Sequence, residues 1–131
     1  MPFIEWNDNF LTGIKECDVQ HKKLVNMLNA LHEAIRLNVE KKAIEEALYS
    51  LVKYFNEHFR LEEELMEKKG YPGIEEHREE HKNFKEKLNK MLQSYHEKGN
   101  VSLIEILKFF KNWWINHILI MDKKYGIFLK M

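Results

Sequence analysis

Histidines and carboxylates occur at helical spacing among the apolar residues of this sequence. In four segments an apolar side chain recurs every three or four residues, as on one face of an α-helix. At several of these positions a histidine or a glutamate replaces the apolar residue. They are His21 in the first segment, His58 and Glu62 in the second, His77 and His81 in the third, and His117 in the fourth. These side chains are predicted to face the interior of a helical protein.

The positions of these side chains along their helices also agree. An α-helix rises about 1.5 Å per residue, and short connections make successive helices antiparallel, so distances from each turn can be compared. From the first turn, His21 and His58 are about 18 and about 19 residues away. From the second turn, Glu62 and His81 are about 9 and about 10 residues away. The side chains are therefore expected in one layer, roughly 10 Å thick.

A buried layer of this composition suits metal ions better than a network of hydrogen bonds. A single inward histidine is usually a hydrogen-bonded core residue, but several at one level beside a carboxylate are a different case. Burying the ionised Glu62 without a counter-charge costs several kcal/mol, and several imidazolium groups would repel one another. Neutral imidazoles around a divalent cation avoid both costs. Imidazole and carboxylate without thiolate suit iron, manganese, cobalt or zinc.

Asp122 is a less regular candidate for the same layer. It is about 140° beyond His117 around an ideal helix, and the regular spacing would place Met121 inward instead. A π-bulge of one extra residue would turn Asp122 inward, and such bulges are common at functional sites. Without the bulge, Asp122 would be a solvated residue at a helix end. The spacing alone leaves both alternatives open.

The number of candidate ligands favours two metal ions over one. Two octahedral ions offer about twelve coordination positions. The histidines, two bridging carboxylates (Glu62 and Asp122) and a solvent-derived oxo or hydroxo bridge would fill about eleven of them. The vacant position would bind an exogenous ligand. Ligation that is rich in histidine and poor in charge stabilises high-valent iron less, which favours reversible binding over oxygen activation.

Four helices separated by short turns are needed to position these side chains. The apolar repeat is interrupted in three places, near residues 38–41, 70–73 and 98–100. The pattern therefore predicts four helices, at about 18–37, 41–69, 73–97 and 102–122. Short connections make sequential helices antiparallel neighbours, so the expected fold is all-α, an up-down-up-down four-helix bundle.

The helix ends and the two termini complete the predicted architecture. Asp18 is the expected N-cap of the first helix, and Ser102 with Glu105 forms a capping box at the start of the fourth. The first twelve or so residues are expected to form an arm packed on the outside or end of the bundle. Residues 125–131 are expected to form a short C-terminal segment. The chain, 1–131, is predicted to be a single domain.

Composition excludes several classes of protein. Hydrophobic residues make up 44% of the 131 residues and charged residues 32%, which suits a globular domain. Lys+Arg and Asp+Glu are equal at 21 each, so nucleic acid is not an expected partner. The most apolar stretch, residues 103–121, is too polar to span a membrane. A lone cysteine, Cys17, and the absence of a visible signal peptide predict a cytoplasmic protein.

Four groups of residues together resemble the hemerythrin family, in particular its single-domain bacterial members. The resemblance covers nearly the whole chain. Its motifs are Asp18-Val19-Gln20-His21-Lys22-Lys23-Leu24, His58-Phe59-x-x-Glu62-Glu63, His77-x-x-x-His81 and Trp113-x-x-Asn116-His117-x4-Asp122-x-x-Tyr125. Each motif alone is weak, but the combined pattern is highly specific.

The resemblance implies a function, a cofactor and a division of the ligands. It implies two iron ions bridged by Glu62, Asp122 and an oxo or hydroxo group. The fully coordinated iron would be bound by His77, His81 and His117, and the iron with the vacant position by His21 and His58. Dioxygen would bind reversibly there, so the protein would be an oxygen carrier or store, or would supply a partner enzyme. It would not itself be an enzyme, and is expected to be a monomer or weak oligomer.

An apolar pocket is expected beside the vacant position. Relatives usually carry a leucine there, whereas this chain has Trp114, which could narrow the gas route or exclude water. Phe59, Trp113 and Ile118 are the other candidates for the pocket wall, although each could equally be ordinary core packing.

Two other functions remain open from the sequence. One is a di-iron enzyme acting on peroxide, nitrite or nitric oxide, and the other is a metal-handling protein. The charged runs at residues 62–69 and 75–90 are expected to be mostly solvated faces, with Glu62 as the exception.

Overall fold

The computed structural model describes residues 3–97, 102–118 and 123–130. In these ranges it contains a short 3-10 turn, Asp8–Phe10, followed by five helices and no β-strand. The helices are α1 (Lys15–Arg36), α2 (Lys41–Lys69), α3 (Ile74–Glu97), α4 (Leu103–Asn116) and α5 (Lys123–Lys130). Both α1 and α3 pack against α2 and α4. The first four helices therefore form the predicted up-down-up-down four-helix bundle.

The start of α1 differs from the prediction. The helix begins at Lys15, after Ile14, so Asp18 lies inside the first turn and is not the N-cap. The Asp18 carboxylate instead accepts hydrogen bonds from the backbone N–H of Thr12, at 2.8 Å, and of Gly13, at 3.1 Å. It also accepts one from the Thr12 hydroxyl at 2.8 Å. Asp18 thus fastens the N-terminal arm to the helix.

The other helix ends agree more closely with the sequence signals. Gly70 ends α2 in the left-handed conformation, with φ 68°, which glycine adopts without a steric cost. The Ser102 hydroxyl accepts a hydrogen bond from the Glu105 N–H at 3.2 Å at the start of α4. Beyond Asn116 the backbone becomes π-helical at His117 and Ile118. The C-terminal segment contains a further helix, α5.

The N-terminal arm packs along the bundle. The Ile4 N–H donates to the Asn29 side-chain oxygen at 2.7 Å, and the Asn29 amide donates back to the Ile4 carbonyl at 2.8 Å. Ile4 and Phe10 are both buried in the main core, and the Phe10 ring lies 5.4 Å from that of Trp114. The arm therefore covers one side of the bundle, as predicted.

Two apolar clusters divide the interior. The larger cluster contains Leu24 of α1, Phe55 of α2, Phe84 of α3 and Phe110 of α4, with their neighbours. The smaller cluster joins Cys17 and Met66 to Tyr125 of α5. Along α1, α2 and α3, the candidate ligands lie between residues packed in the smaller cluster and residues of the larger one. On α1, for example, His21 lies between Cys17 and Leu24. Helical spacing thus places a polar layer between two apolar ones.

Candidate metal centre

The inward histidines and glutamate predicted from the sequence meet in one buried layer. Besides Thr12, the described residues include six buried polar side chains, and none of these six is more than 3% exposed. They are His21, His58, Glu62, His77, His81 and His117. Among the residues whose side-chain burial the structure describes, no lysine or arginine is buried with them. A bound cation could therefore balance the charge of the Glu62 carboxylate in this layer.

The ligand atoms fall into two groups that share one carboxylate. Glu62, His77, His81 and His117 form the first group, and His21, His58 and Glu62 form the second. Within each group the atoms that could bind metal lie within 4.8 Å of one another. This is the grouping expected of two adjacent cation positions on either side of Glu62.

The nitrogen atoms in the layer face one another. The Nε2 atoms of His21 and His58 are 3.0 Å apart, and those of His81 and His117 are 3.2 Å apart. Oε1 of Glu62 is 3.3 Å from Nε2 of His58 and 3.4 Å from Nε2 of His81. One oxygen of Glu62 therefore reaches toward histidines of both groups.

The outward nitrogens of three histidines have polar partners. Nδ1 of His58 lies 2.6 Å from Oε1 of Gln20. Nδ1 of His81 lies 3.0 Å from Oε2 of Glu63, and Nδ1 of His117 lies 2.9 Å from Oε2 of Glu80. An amide oxygen or a carboxylate only accepts hydrogen bonds, so each Nδ1 must be the donor.

The three outer partners were not among the predicted functional residues. Glu63 and Glu80 lie in charged runs that were expected to be mostly solvated faces; their side chains remain partly exposed, at 25% and 41%, but each carboxylate also accepts a hydrogen bond from a buried histidine. Each residue neighbours an inward position, but spacing does not reveal which long side chain folds back toward a histidine. Gln20 and Glu63 belong to the motifs that resemble the hemerythrin family, which was the one available signal.

These outer hydrogen bonds make the layer suitable for cations. A neutral imidazole with its proton on Nδ1 has an acceptor lone pair on Nε2. Nε2 of His81, Nε2 of His117 and Oε1 of Glu62 are then three acceptors at close range. A proton on one imidazole or on Glu62 could relieve only one such contact, and a charged imidazole in a buried layer is costly. A divalent cation satisfies the acceptors together, so these residues fit a metal ion.

Glu80 is held in its ionised form. The hydrogen bond from His117 lowers the pKa of the Glu80 carboxyl below its ordinary value, although partial burial acts in the opposite direction. At neutral pH, Glu80 is therefore an anion that holds the Nδ1 proton of His117.

Aromatic rings enclose the layer. Phe59 stacks on His81 with ring centroids 4.0 Å apart, and Trp113 stacks on His117 at 4.4 Å. The Trp114 ring lies 6.0 Å from that of His21 and is perpendicular to it. Its indole Nε1 is buried and has no hydrogen-bond partner among the described residues. Ile118 is also fully buried. Phe59, Trp114 and Ile118 therefore lie in the interior and Trp113 is partly buried, and the three aromatic rings lie against the histidines.

The two remaining histidines of the sequence lie apart from this layer. His32 stacks on Phe3 at 4.4 Å, and His96 contacts Tyr49 on the surface. Asp122, the remaining candidate ligand, lies outside the described residues. The π-helical backbone at His117 and Ile118 is the kind of widened turn that would bring Asp122 inward.

A helical bundle with a buried layer of histidines and a shared carboxylate defines a class of metal-binding proteins. The profile of the Hemerythrin HHE cation binding domain matches residues 12–126 of this chain. The chain belongs to the hemerythrin family.

Similar proteins come from bacteria and animals. A bacteriohemerythrin of Stenotrophomonas maltophilia is 32% identical over 126 residues, which cover 96% of this chain and 81% of that protein. Hemerythrin subunit alpha of Lingula anatina is 38% identical over 120 residues, covering 92% and 90%. A crystal structure of a leucine-to-alanine mutant of hemerythrin superposes with a TM-score of 0.87 at 29% identity, covering 96% of each chain.

None of the helices in the described ranges is long and apolar enough to cross a membrane.

Metal binding is expected to stabilise the folded chain. With ferrous iron added without air at about 1,000 times its Kd, the free energy of unfolding should rise by about 4 kcal/mol. Urea unfolding with and without a chelator measures this gain. His32→Gln, outside the layer, should retain the gain, whereas His81→Gln should lose much of it. An equal gain in both variants would show that the metal binds elsewhere.

Proposed function

We propose that this protein binds dioxygen reversibly at two iron ions held in the buried layer. The sharing of Glu62 between two groups of histidines is the single observation that carries the proposal. One carboxylate with histidines on both sides is suited to bridge two cations, and membership of the hemerythrin family supports iron as the metal and dioxygen as the ligand. The protein would carry or store dioxygen, or supply it to a partner enzyme, without being an enzyme itself.

The proposal assigns each histidine to one ion. His77, His81 and His117 would bind one iron with Glu62, and His21 and His58 would bind the other with the same carboxylate. Asp122 is proposed as the second bridging carboxylate, together with an oxo or hydroxo bridge. When bound, the iron pair would supply the electrons and the vacant coordination position that reversible dioxygen binding requires.

The protein's own side chains prepare the centre for metal in two ways, and the first is that they orient the histidines. The outer partners of His58, His81 and His117 keep the Nδ1 protons outward, so that each Nε2 lone pair points into the layer. Phe59 and Trp113 stack against the same histidines and fix the ring planes. The layer thus needs little rearrangement to bind metal.

Exclusion of water is the second contribution. The histidines are buried, and Trp114 fills space beside His21, the proposed ligand of the iron with the vacancy. An apolar enclosure limits the access of water and protons. These would otherwise cause the bound gas to leave as a reduced species instead of as dioxygen. It therefore favours release of the ligand as dioxygen over irreversible oxidation of the iron.

Gas exchange tests this proposal. The iron-loaded, reduced protein should develop a visible charge-transfer band in air and lose it under vacuum over repeated cycles, while His32→Gln behaves like the unchanged chain. Steady consumption of peroxide or nitric oxide without a stable adduct would instead indicate an enzyme. A chain isolated with zinc or manganese and no response to gas would indicate a metal-handling protein.

Trp114 is expected to control the lifetime of the oxygenated form. Trp114→Leu removes both the ring and the indole N–H, whereas Trp114→Phe removes the N–H and keeps an aromatic ring. We expect Trp114→Leu to change the rate of autoxidation while both irons stay bound, because it alters the enclosure beside His21. Stopped-flow and decay spectra, with iron analysis of each variant, measure this. Unchanged kinetics in both variants would exclude Trp114 from the mechanism.

A further inference from the structure

The outer partners of the histidines differ in charge between the two groups. In the group of His77, His81 and His117, two Nδ1 atoms donate to carboxylates, those of Glu63 and Glu80. In the group of His21 and His58, Nδ1 of His58 donates to the neutral amide of Gln20. Among these three hydrogen bonds, the outer acceptor is thus a carboxylate for His81 and His117 and an uncharged amide for His58.

This difference changes the donor strength of the inner nitrogen. A carboxylate that accepts the Nδ1 proton draws it away from the ring and makes Nε2 more basic, and it also adds negative charge near a bound cation. An amide oxygen orients the ring in the same way but adds no net charge. His81 and His117 should therefore be stronger donors to metal than His58.

Arg78 helps to hold one of these carboxylates in place. Its Nε lies 3.6 Å from Oε1 of Glu63, while Oε2 of the same carboxylate accepts from His81. The Arg78 guanidinium also contacts Glu67 and Glu75, so its charge is shared among several anions. Glu80 has no cationic partner among the ion pairs of the described residues other than His117. Negative charge thus persists on this side.

We propose that Glu63 and Glu80 are positioning residues that set the order of metal loading. The position formed by His77, His81, His117 and Glu62 binds its cation first and more tightly, and the position of His21 and His58 fills second. The first position also has three histidines where the second has two, which contributes to this order. The proposal concerns the additional metal affinity that the outer carboxylates provide. It rests on the proposed two-ion centre. The ion that retains the vacancy would then be added to a centre that is already half built.

Cobalt(II) titration tests the proposal, because this divalent ion is a spectroscopic probe of each loading step. Visible absorption and calorimetry would give a separate Kd for each of two ions per chain. Glu63→Gln/Glu80→Gln should weaken the tighter step by about 10- to 100-fold, the usual effect of losing outer partners of metal ligands. The weaker step should change much less, which a general loss of structure would not produce.

A matched control separates outer hydrogen bonding from net charge. Glu64 and Glu79 are exposed neighbours of Glu63 and Glu80 in sequence. Glu64→Gln/Glu79→Gln makes the same change in net charge but removes no contact with a histidine. Because exposed charges are screened, it should change the tighter Kd by about threefold or less. Equal effects in the two double variants, or no effect in either, would overturn the proposal.

The reverse substitution tests the other half of the layer. Gln20→Glu places a carboxylate beside Nδ1 of His58 and should strengthen the second step by about tenfold, which narrows the gap between the steps. If Glu63→Gln/Glu80→Gln loses helix by circular dichroism, the single variants Glu80→Gln and Glu79→Gln repeat the comparison. Binding of fewer than two cobalt ions by the unchanged chain would overturn the two-ion centre itself. Binding of two ions whose affinities do not respond to these substitutions would overturn only the loading order.

Discussion

Acceptor atoms that face one another in a buried layer are the constraint on which the rest of this protein depends. The Nε2 atoms of His81 and His117 are 3.2 Å apart, and both lie near the carboxylate of Glu62. Each outer hydrogen bond fixes a proton on the far side of its ring, so the inner nitrogens of His81 and His117 present lone pairs that a bound cation can accept. The centre is thus arranged for metal before any metal binds.

The bundle can hold such a layer because apolar packing surrounds it. The large cluster around Phe55 and Phe84 lies on one side, and the small cluster of Cys17, Met66 and Tyr125 lies on the other. Apolar burial of this kind stabilises the four helices independently of the polar residues. The helices therefore fix the height and direction of each ligand, and the cost of the polar layer is offset by the apolar layers and by bound cations.

Helix positions and inward faces could be predicted from sequence because both follow from one period. The spacing that places Leu24 in the core also places His21 in the layer, since the two lie on the same side of α1. The role of Asp18 was mistaken because an acid in a first turn can also bind the preceding loop, as it does at Thr12. Glu63 and Glu80 were missed because spacing specifies the face of a Cα–Cβ bond and not the conformation of a long side chain.

The central claim is that two cations share Glu62 inside the bundle. Anomalous diffraction at the iron edge, from crystals of the iron-loaded protein, tests it most directly. We expect two iron peaks, one on each side of the Glu62 carboxylate: one among His77, His81 and His117 and the other beside His21 and His58. A single peak, or peaks away from Glu62, would contradict it.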